Sequence, residues 1–214
     1  MEALSRRRIT AAAVFCAFWA AAFAPAQSGE QQYEDMSDSV RSSLRQSIGR
    51  AAPPRLFFAQ KEEGLRWLDD MSARLARILP ADSVLQEEEA RRAFLTGVHY
   101  ESTRAGLDPQ LVLAVIHVES AFRKYAISTA GARGLMQVMP FWTEEIGEGE
   151  PRNLFQLRAN LRYGTVILRH YLDIEKGNLT RALGRYNGSL GSEKYPNLVH
   201  AKLKQHWSWD SDEN

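Results

Sequence analysis

The sequence predicts a predominantly α-helical protein. Apolar residues recur at helical spacing in successive segments, several segments open or close on helix-capping residues, and no run alternates apolar and polar residues as a strand would. There is no internal repeat.

The first segment reads as an export signal. Arg6, Arg7 and Arg8 give a positive start, Ile9 to Ala24 is an apolar run, and Ala24-Pro25-Ala26 supplies small residues where a signal peptidase cuts. The run is shorter than the roughly 20 apolar residues that span a bilayer. Residues 1–26 are therefore expected to be a cleaved signal peptide, with a retained N-terminal anchor as the alternative. The expected destination is the bacterial periplasm. The single cysteine, Cys16, lies in the apolar run and would leave with it, and bulky Phe15 before it argues against a lipoprotein. Residues 27–54 are polar and end on Pro53-Pro54, which suggests a linker or loosely ordered arm.

A helical N-terminal region is expected over 55–106. Leu56, Phe57, Leu65, Leu68, Met71, Leu75, Ile78 and Leu79 follow mostly helical spacing, and Pro80 stops that helix. Asp82 or Ser83 can cap the next helix, and Glu87, Glu88 and Glu89 suit its positive end. Asp108-Pro109 then marks a sharp helix start. Leu111, Val112, Val115, Ile116 and Val118 make that helix nearly apolar, so it belongs in the core, yet Glu119 sits at its end. A turn through Gly131 and Gly134 leads to another helix near Pro140. A helix is expected over Ala159 to Glu175 with Gly177 as terminator, then a short one capped by Thr180 and ended by Gly188. Tyr195-Pro196-Asn197 leads into a last helix toward Trp207, and residues 208–214 form an acidic tail.

Composition narrows the function classes. Without residues 1–26 the chain loses three of its 27 basic and one of its 26 acidic side chains, and is close to neutral. No concentrated basic face suggests nucleic acid as a partner. A hydrophobic content of 44 % allows one well-packed domain with an N-terminal extension, expected to be monomeric. No second His lies at ligand spacing from His117, and His99, His170, His200 and His206 are scattered, so neither a metal nor another cofactor is expected. Trp142, Trp207 and Trp209 could stack on sugar rings, but packing of the closing helices is the simpler use.

Glu119 stands out. A carboxyl among apolar neighbours favours its neutral form, so its pKa rises and it can serve as a general acid near neutral pH. A Glu at a helix end is by itself weak grounds for catalysis. The ordered surroundings are more specific. They comprise Val115-Ile116-His117-Val118-Glu119-Ser120-Ala121-Phe122, then Ser128-Thr129-Ala130-Gly131-Ala132-Arg133-Gly134-Leu135-Met136-Gln137-Val138-Met139-Pro140. Asn160-Leu161-Arg162-Tyr163-Gly164 and Leu183-Gly184-Arg185-Tyr186-Asn187-Gly188 complete the set. In that order they resemble the soluble lytic transglycosylase (SLT) family, whose fold is goose-lysozyme-like.

The resemblance implies an all-α, lysozyme-like catalytic domain over 107–207. Glu119 matches the family's sole catalytic glutamate and Ser120 its neighbour, a local hydrogen-bonder rather than a nucleophile. Ser128, Gln137 and Met139 match positions lining the glycan cleft. Tyr186 matches a tyrosine whose hydroxyl lies near the catalytic carboxyl, and Asn187 its supporting neighbour. Gly131 and Gly134 fit close backbone turns beside the substrate. The implied partner is the peptidoglycan glycan strand, with docking to a cell-envelope machine as a further possibility for the N-terminal part. The implied reaction is non-hydrolytic cleavage of the MurNAc-GlcNAc β-1,4 bond to a 1,6-anhydro product. Glu119 acts first as acid and then as base, and the substrate's own C6 hydroxyl is the nucleophile.

The chain departs from the family pattern twice. Thr129 stands where Pro is usual. Arg185 stands where a small residue usually precedes Tyr-Asn, and Gly188-Ser189-Leu190-Gly191 follows where Ala-Gly is usual. Two other readings stay open. A hydrolysing lysozyme would need a second carboxylate to activate water, for which Asp173, Glu144 and Glu145 are present but fall in no recognisable motif. A non-enzymatic wall-binding protein would have little use for Glu119, Gln137, Tyr186 and Asn187 together.

Overall fold

The computed structural model describes residues 31–50 and 52–209; the expected signal peptide lies outside them, as does most of the acidic tail. Eight α-helices appear among the described residues: α1 (Asp38–Gly49), α2 (Lys61–Ala76), α3 (Glu88–Arg104), α4 (Pro109–Ser120), α5 (Phe141–Ile146), α6 (Leu157–Ile174), α7 (Leu179–Asn187) and α8 (Lys194–Lys202). A 3-10 turn, Pro151–Phe155, precedes α6, and a π turn, Leu203–Trp207, follows α8. The all-α expectation holds. Extended pairing in the described chain is limited to isolated bridges, Ile127 with Arg133 and Arg133 with Val138.

α4 is the central helix. Asp108 caps it by accepting a hydrogen bond from the Gln110 N–H, and Pro109 occupies its first turn, where a missing N–H costs nothing. Leu111 to Ile116 are all buried, packed against α3, α8 and the π turn. At about 1.5–3 kcal/mol per buried aliphatic side chain, this helix anchors the fold. α6 buries Leu161, Val166, Ile167, Leu168 and Tyr171 against α3 and α7, and α2 closes the core with Trp67, Met71 and Leu75.

The end of α4 is unusual. Ala121 and Phe122 both adopt positive φ, 47° and 63°, which disfavours residues that carry a Cβ. Burial of the Phe122 ring against Phe94 and Trp207 offsets that strain. The result is a sharp reversal directly after Glu119, which holds the acid at the end of a rigid core helix.

Several local expectations need correction. The arm expected over 27–54 contains a helix, α1, capped by the Ser37 hydroxyl. No α1 residue is fully buried, which is why its sequence reads as linker; polar anchors hold it. Arg104 donates to the Ser47 carbonyl at 2.8 Å and Arg162 to the Ile48 carbonyl at 3.1 Å. Both arginines are oriented by Glu101, fully buried in α3. α2 begins only at Lys61 and ends at Ala76, short of Pro80. Ser83 serves a tight turn through the Leu85 N–H, and α3 starts after Glu87 without a side-chain cap. Asn178, not Thr180, caps α7. Tyr195 and Pro196 lie inside the first turn of α8 rather than leading into it.

Candidate active site

Glu119 closes α4 with only 8 % of its surface exposed. Its Oε1 accepts a hydrogen bond of 2.6 Å from the Tyr195 hydroxyl on α8. Burial pushes the carboxyl up from 4.5 to about 7, while the Tyr195 bond, which favours the anion, pulls the other way. Near neutral pH the group can therefore both give and take a proton at little cost. Both tyrosines beside it, Tyr195 and Tyr186, are buried, which holds their hydroxyls protonated well above the ordinary phenol range. They act as donors.

The loop from Phe122 to Pro140 follows α4 and is joined to the neighbourhood of this carboxyl through Tyr186, which feels the Glu119 charge and bonds the Met136 carbonyl. It is a knot of short backbone hydrogen bonds. Ser128 Oγ accepts from the Ala132 N–H at 3.0 Å, Gly131 donates to the Ser128 carbonyl, and Arg133 and Val138 exchange bonds both ways. Gly131 and Gly134 have φ of 91° and 77°. A Cβ on Gly134 would also overlap the Asn160 amide and the Leu154 carbonyl. Asn160 on α6 holds three backbone groups at 2.8 Å each: the Met136 N–H, the Arg133 carbonyl and the Leu154 carbonyl. Tyr186 donates to the Met136 carbonyl at 2.7 Å. Met136 is thus gripped at both backbone polar atoms, by side chains from α6 and α7, and the loop is fixed relative to Glu119.

The family model described as "Transglycosylase SLT domain" matches residues 98–207, just over half of the chain. The chain belongs to the soluble lytic transglycosylase family. Among curated relatives of this SLT chain, membrane-bound lytic murein transglycosylase C of Glaesserella parasuis is 41 % identical over 91 residues, covering 38 % of this chain and 24 % of that protein. The protein of the same name from Cronobacter sakazakii is 33 % identical over 110 residues, covering 44 % and 31 %. The transglycosylase of Enterobacteria phage PRD1 is 36 % identical over 87 residues, covering 41 % and 31 %. The chain thus spans less than a third of the length of these relatives. The 70-kDa soluble lytic transglycosylase Slt70 of Escherichia coli is similar over 76 % of this chain and 37 % of that one, with 17 % identity and a TM-score of 0.37; nothing further rests on that likeness.

The SLT domain brings Glu119, Gln137, Met139 and Tyr186 to one region, each in a particular way. Ser120 turns its hydroxyl back to the Ile116 carbonyl one turn earlier, at 3.2 Å. Gln137, at φ 48°, spends its side-chain amide on the Gly134 and Ala126 carbonyls, at 2.8 and 3.2 Å. Its backbone carbonyl and the Met139 N–H are the groups taken up by a neighbouring side chain, Gln31. Tyr186 lies close enough to feel the Glu119 charge, yet its hydrogen bond goes to Met136. Asn187 is buried at the end of α7. The tyrosine that bonds the acid is Tyr195, which sequence reasoning passed over as a helix-leading residue. Spacing gave no signal for it; the contact joins residues 76 apart in sequence.

The other candidates serve structure. Trp142 and Trp207 are buried, and Trp209 packs edge-on against Phe58. Asp173 pairs with Arg169, and Glu145 with Arg41 at 3.0 Å. His117 packs at tilted angles against His206 and Phe122, and burial lowers its pKa to about 4. Among the described residues no group of His, Cys, Asp or Glu is placed to hold a metal, and no helix is long and apolar enough to cross a membrane.

Proposed function

We propose that this protein is an exported lytic transglycosylase of peptidoglycan, with Glu119 as general acid and then base. The observation that carries the reading is the buried Glu119 carboxyl, held at about 7 and hydrogen-bonded by Tyr195. Protonated Glu119 gives its proton to the oxygen joining MurNAc C1 to the next GlcNAc, and the C1–O bond breaks as C1 gains oxocarbenium character. The carboxylate left behind accepts the Tyr195 hydrogen bond, which stabilises the anion at that moment. It then takes the proton of the MurNAc C6 hydroxyl while O6 bonds to C1. The products are a 1,6-anhydro end and a free GlcNAc hydroxyl. No water is consumed and Glu119 returns to its starting state.

One carboxyl suffices because the substrate supplies the nucleophile. The hydrolysing alternative asks for a second carboxylate across the sugar. Burial and Tyr195 are the influences that set the Glu119 carboxyl, while Asp173 pairs with Arg169 and Glu145 with Arg41. Digestion of purified peptidoglycan with mass analysis of the muropeptides tests this. Anhydromuramic ends support it, and reducing ends carrying oxygen from solvent water would replace it with a lysozyme. Export is tested separately, by fractionating cells and sequencing the N-terminus of the mature protein, which the reading places after Ala26.

A further inference from the structure

Residues 31–35 precede α1 without regular secondary structure, and 32–35 are exposed. Gln31 is the exception, with only 4 % of its surface accessible. Its carboxamide is inserted into the loop beside the acid. The oxygen accepts from the Met139 N–H at 3.3 Å, and the NH₂ donates to the Gln137 carbonyl at 3.4 Å. It also sits against the Tyr186 hydroxyl.

A carboxamide with its oxygen on one backbone N–H and its N–H on a backbone carbonyl two residues away has a close chemical relative in the proposed substrate. Every peptidoglycan sugar carries an acetamide, with one carbonyl acceptor and one N–H donor. We propose that residues 31–34 form an autoinhibitory strap, in which the Gln31 carboxamide fills the place of a substrate acetamide and must lift before a glycan strand can enter. This rests on the function proposed above. Tyr33 packs edge-to-face on Phe141, and Glu34 pairs with Arg185 at 2.5 Å. Arg185 is one of the two departures from the family pattern, standing where a small residue is usual, and here it fastens the strap. Both Gln31 bonds are longer than the common 2.9–3.0 Å, and Tyr33 is 51 % exposed. Gln32, Tyr33 and Glu34 are exposed, so the strap can lift without opening the core. Behind it, α1 stays fixed through Arg41 on Glu145 and through the bonds from Arg104 and Arg162.

A ligand that binds only the open form sees its affinity reduced by the open fraction, so a strap closed in about four of five molecules costs about fivefold in apparent Kd. The test uses the full chain carrying Glu119→Gln, which cannot turn over, titrated calorimetrically with the GlcNAc tetramer. Adding Gln31→Ala is expected to tighten Kd about fivefold. Glu34→Ala, which unfastens the strap without touching the slot, is expected to tighten it in the same direction. In the active enzyme, Gln31→Ala should lower KM for peptidoglycan by a similar factor with kcat nearly unchanged. Equal Kd in all three proteins overturns the strap. Weaker binding by Gln31→Ala also overturns it, by making Gln31 a ligand-gripping residue. Failure of every protein to bind the tetramer removes the glycan groove itself, and the strap with it; tetramer binding with an unchanged Kd removes only the strap.

Discussion

Replacing Glu119 by Gln tests the dry-carboxyl argument through stability as well as turnover. Holding a carboxyl at about 7 that would titrate at 4.5 in the unfolded chain means that the folded state binds its proton more tightly. Below pH 4.5 both states are protonated and the group costs nothing. Between 4.5 and 7 the unfolded chain ionises first, so stability falls as pH rises, and above 7 the whole cost is present: about 3 kcal/mol. The neutral amide escapes that cost and can still accept the Tyr195 hydrogen bond. Urea unfolding of both proteins at pH 5 and pH 9 should therefore show Glu119→Gln gaining about 2 to 3 kcal/mol relative to wild type on going to the higher pH. The other titrating groups are common to both proteins and cancel. Peptidoglycan turnover by the variant should fall by a factor of at least about 100. An advantage for the variant that is the same at both pH values would mean that the carboxyl is already solvated, and the acid role would fall with it.

Four further substitutions probe the surroundings. Tyr195→Phe removes the donor that favours the anion, so kcat should drop and the alkaline limb of the pH–rate profile should move up by about one to two pH units; a limb that stays in place refutes the coupling. Tyr186→Phe frees the Met136 carbonyl instead, so a smaller loss of rate with the limb unmoved is expected from the same profile. Glu101→Gln leaves the buried arginine cluster without its carboxylate and should cost about 3–5 kcal/mol in denaturant unfolding, while the enzyme that remains folded keeps the same pH profile. Gly134→Ala must hold φ at 77° and displace the Asn160 amide; a loss of about 1–3 kcal/mol or more, with activity lost in parallel, is the expected reading by calorimetry and digestion assay.

Where local chemistry decides, the sequence is readable. Asp108-Pro109 starts α4 and Gly188 ends α7 because a cap acid, a proline without an N–H and a glycine at positive φ act within one turn of chain. The apolar stripe of α4 announces the core, and a carboxyl at its end announces something to explain. Long-range polar contacts are not readable in this way. α1 looks like linker because its partners, Arg104 and Arg162, lie more than fifty residues away and take their aim from the buried Glu101. The Tyr195 donor was missed for the same reason, and Gln31 carries no mark of its own in a polar stretch. Thr180 and Asn178 can both cap a helix, and the choice between them depends on where the chain leaves α6.

The bond between Tyr195 and Glu119 ties the acid to a helix made after it, 76 residues further along the chain. A nascent chain that has emerged through α7 already carries its glutamate, its glycine turns and most of its core, yet not the hydroxyl that steadies the anion. On the function proposed above, competence to cut would arrive only when α8 docks. A half-made enzyme would be a poor threat to whatever wall it met.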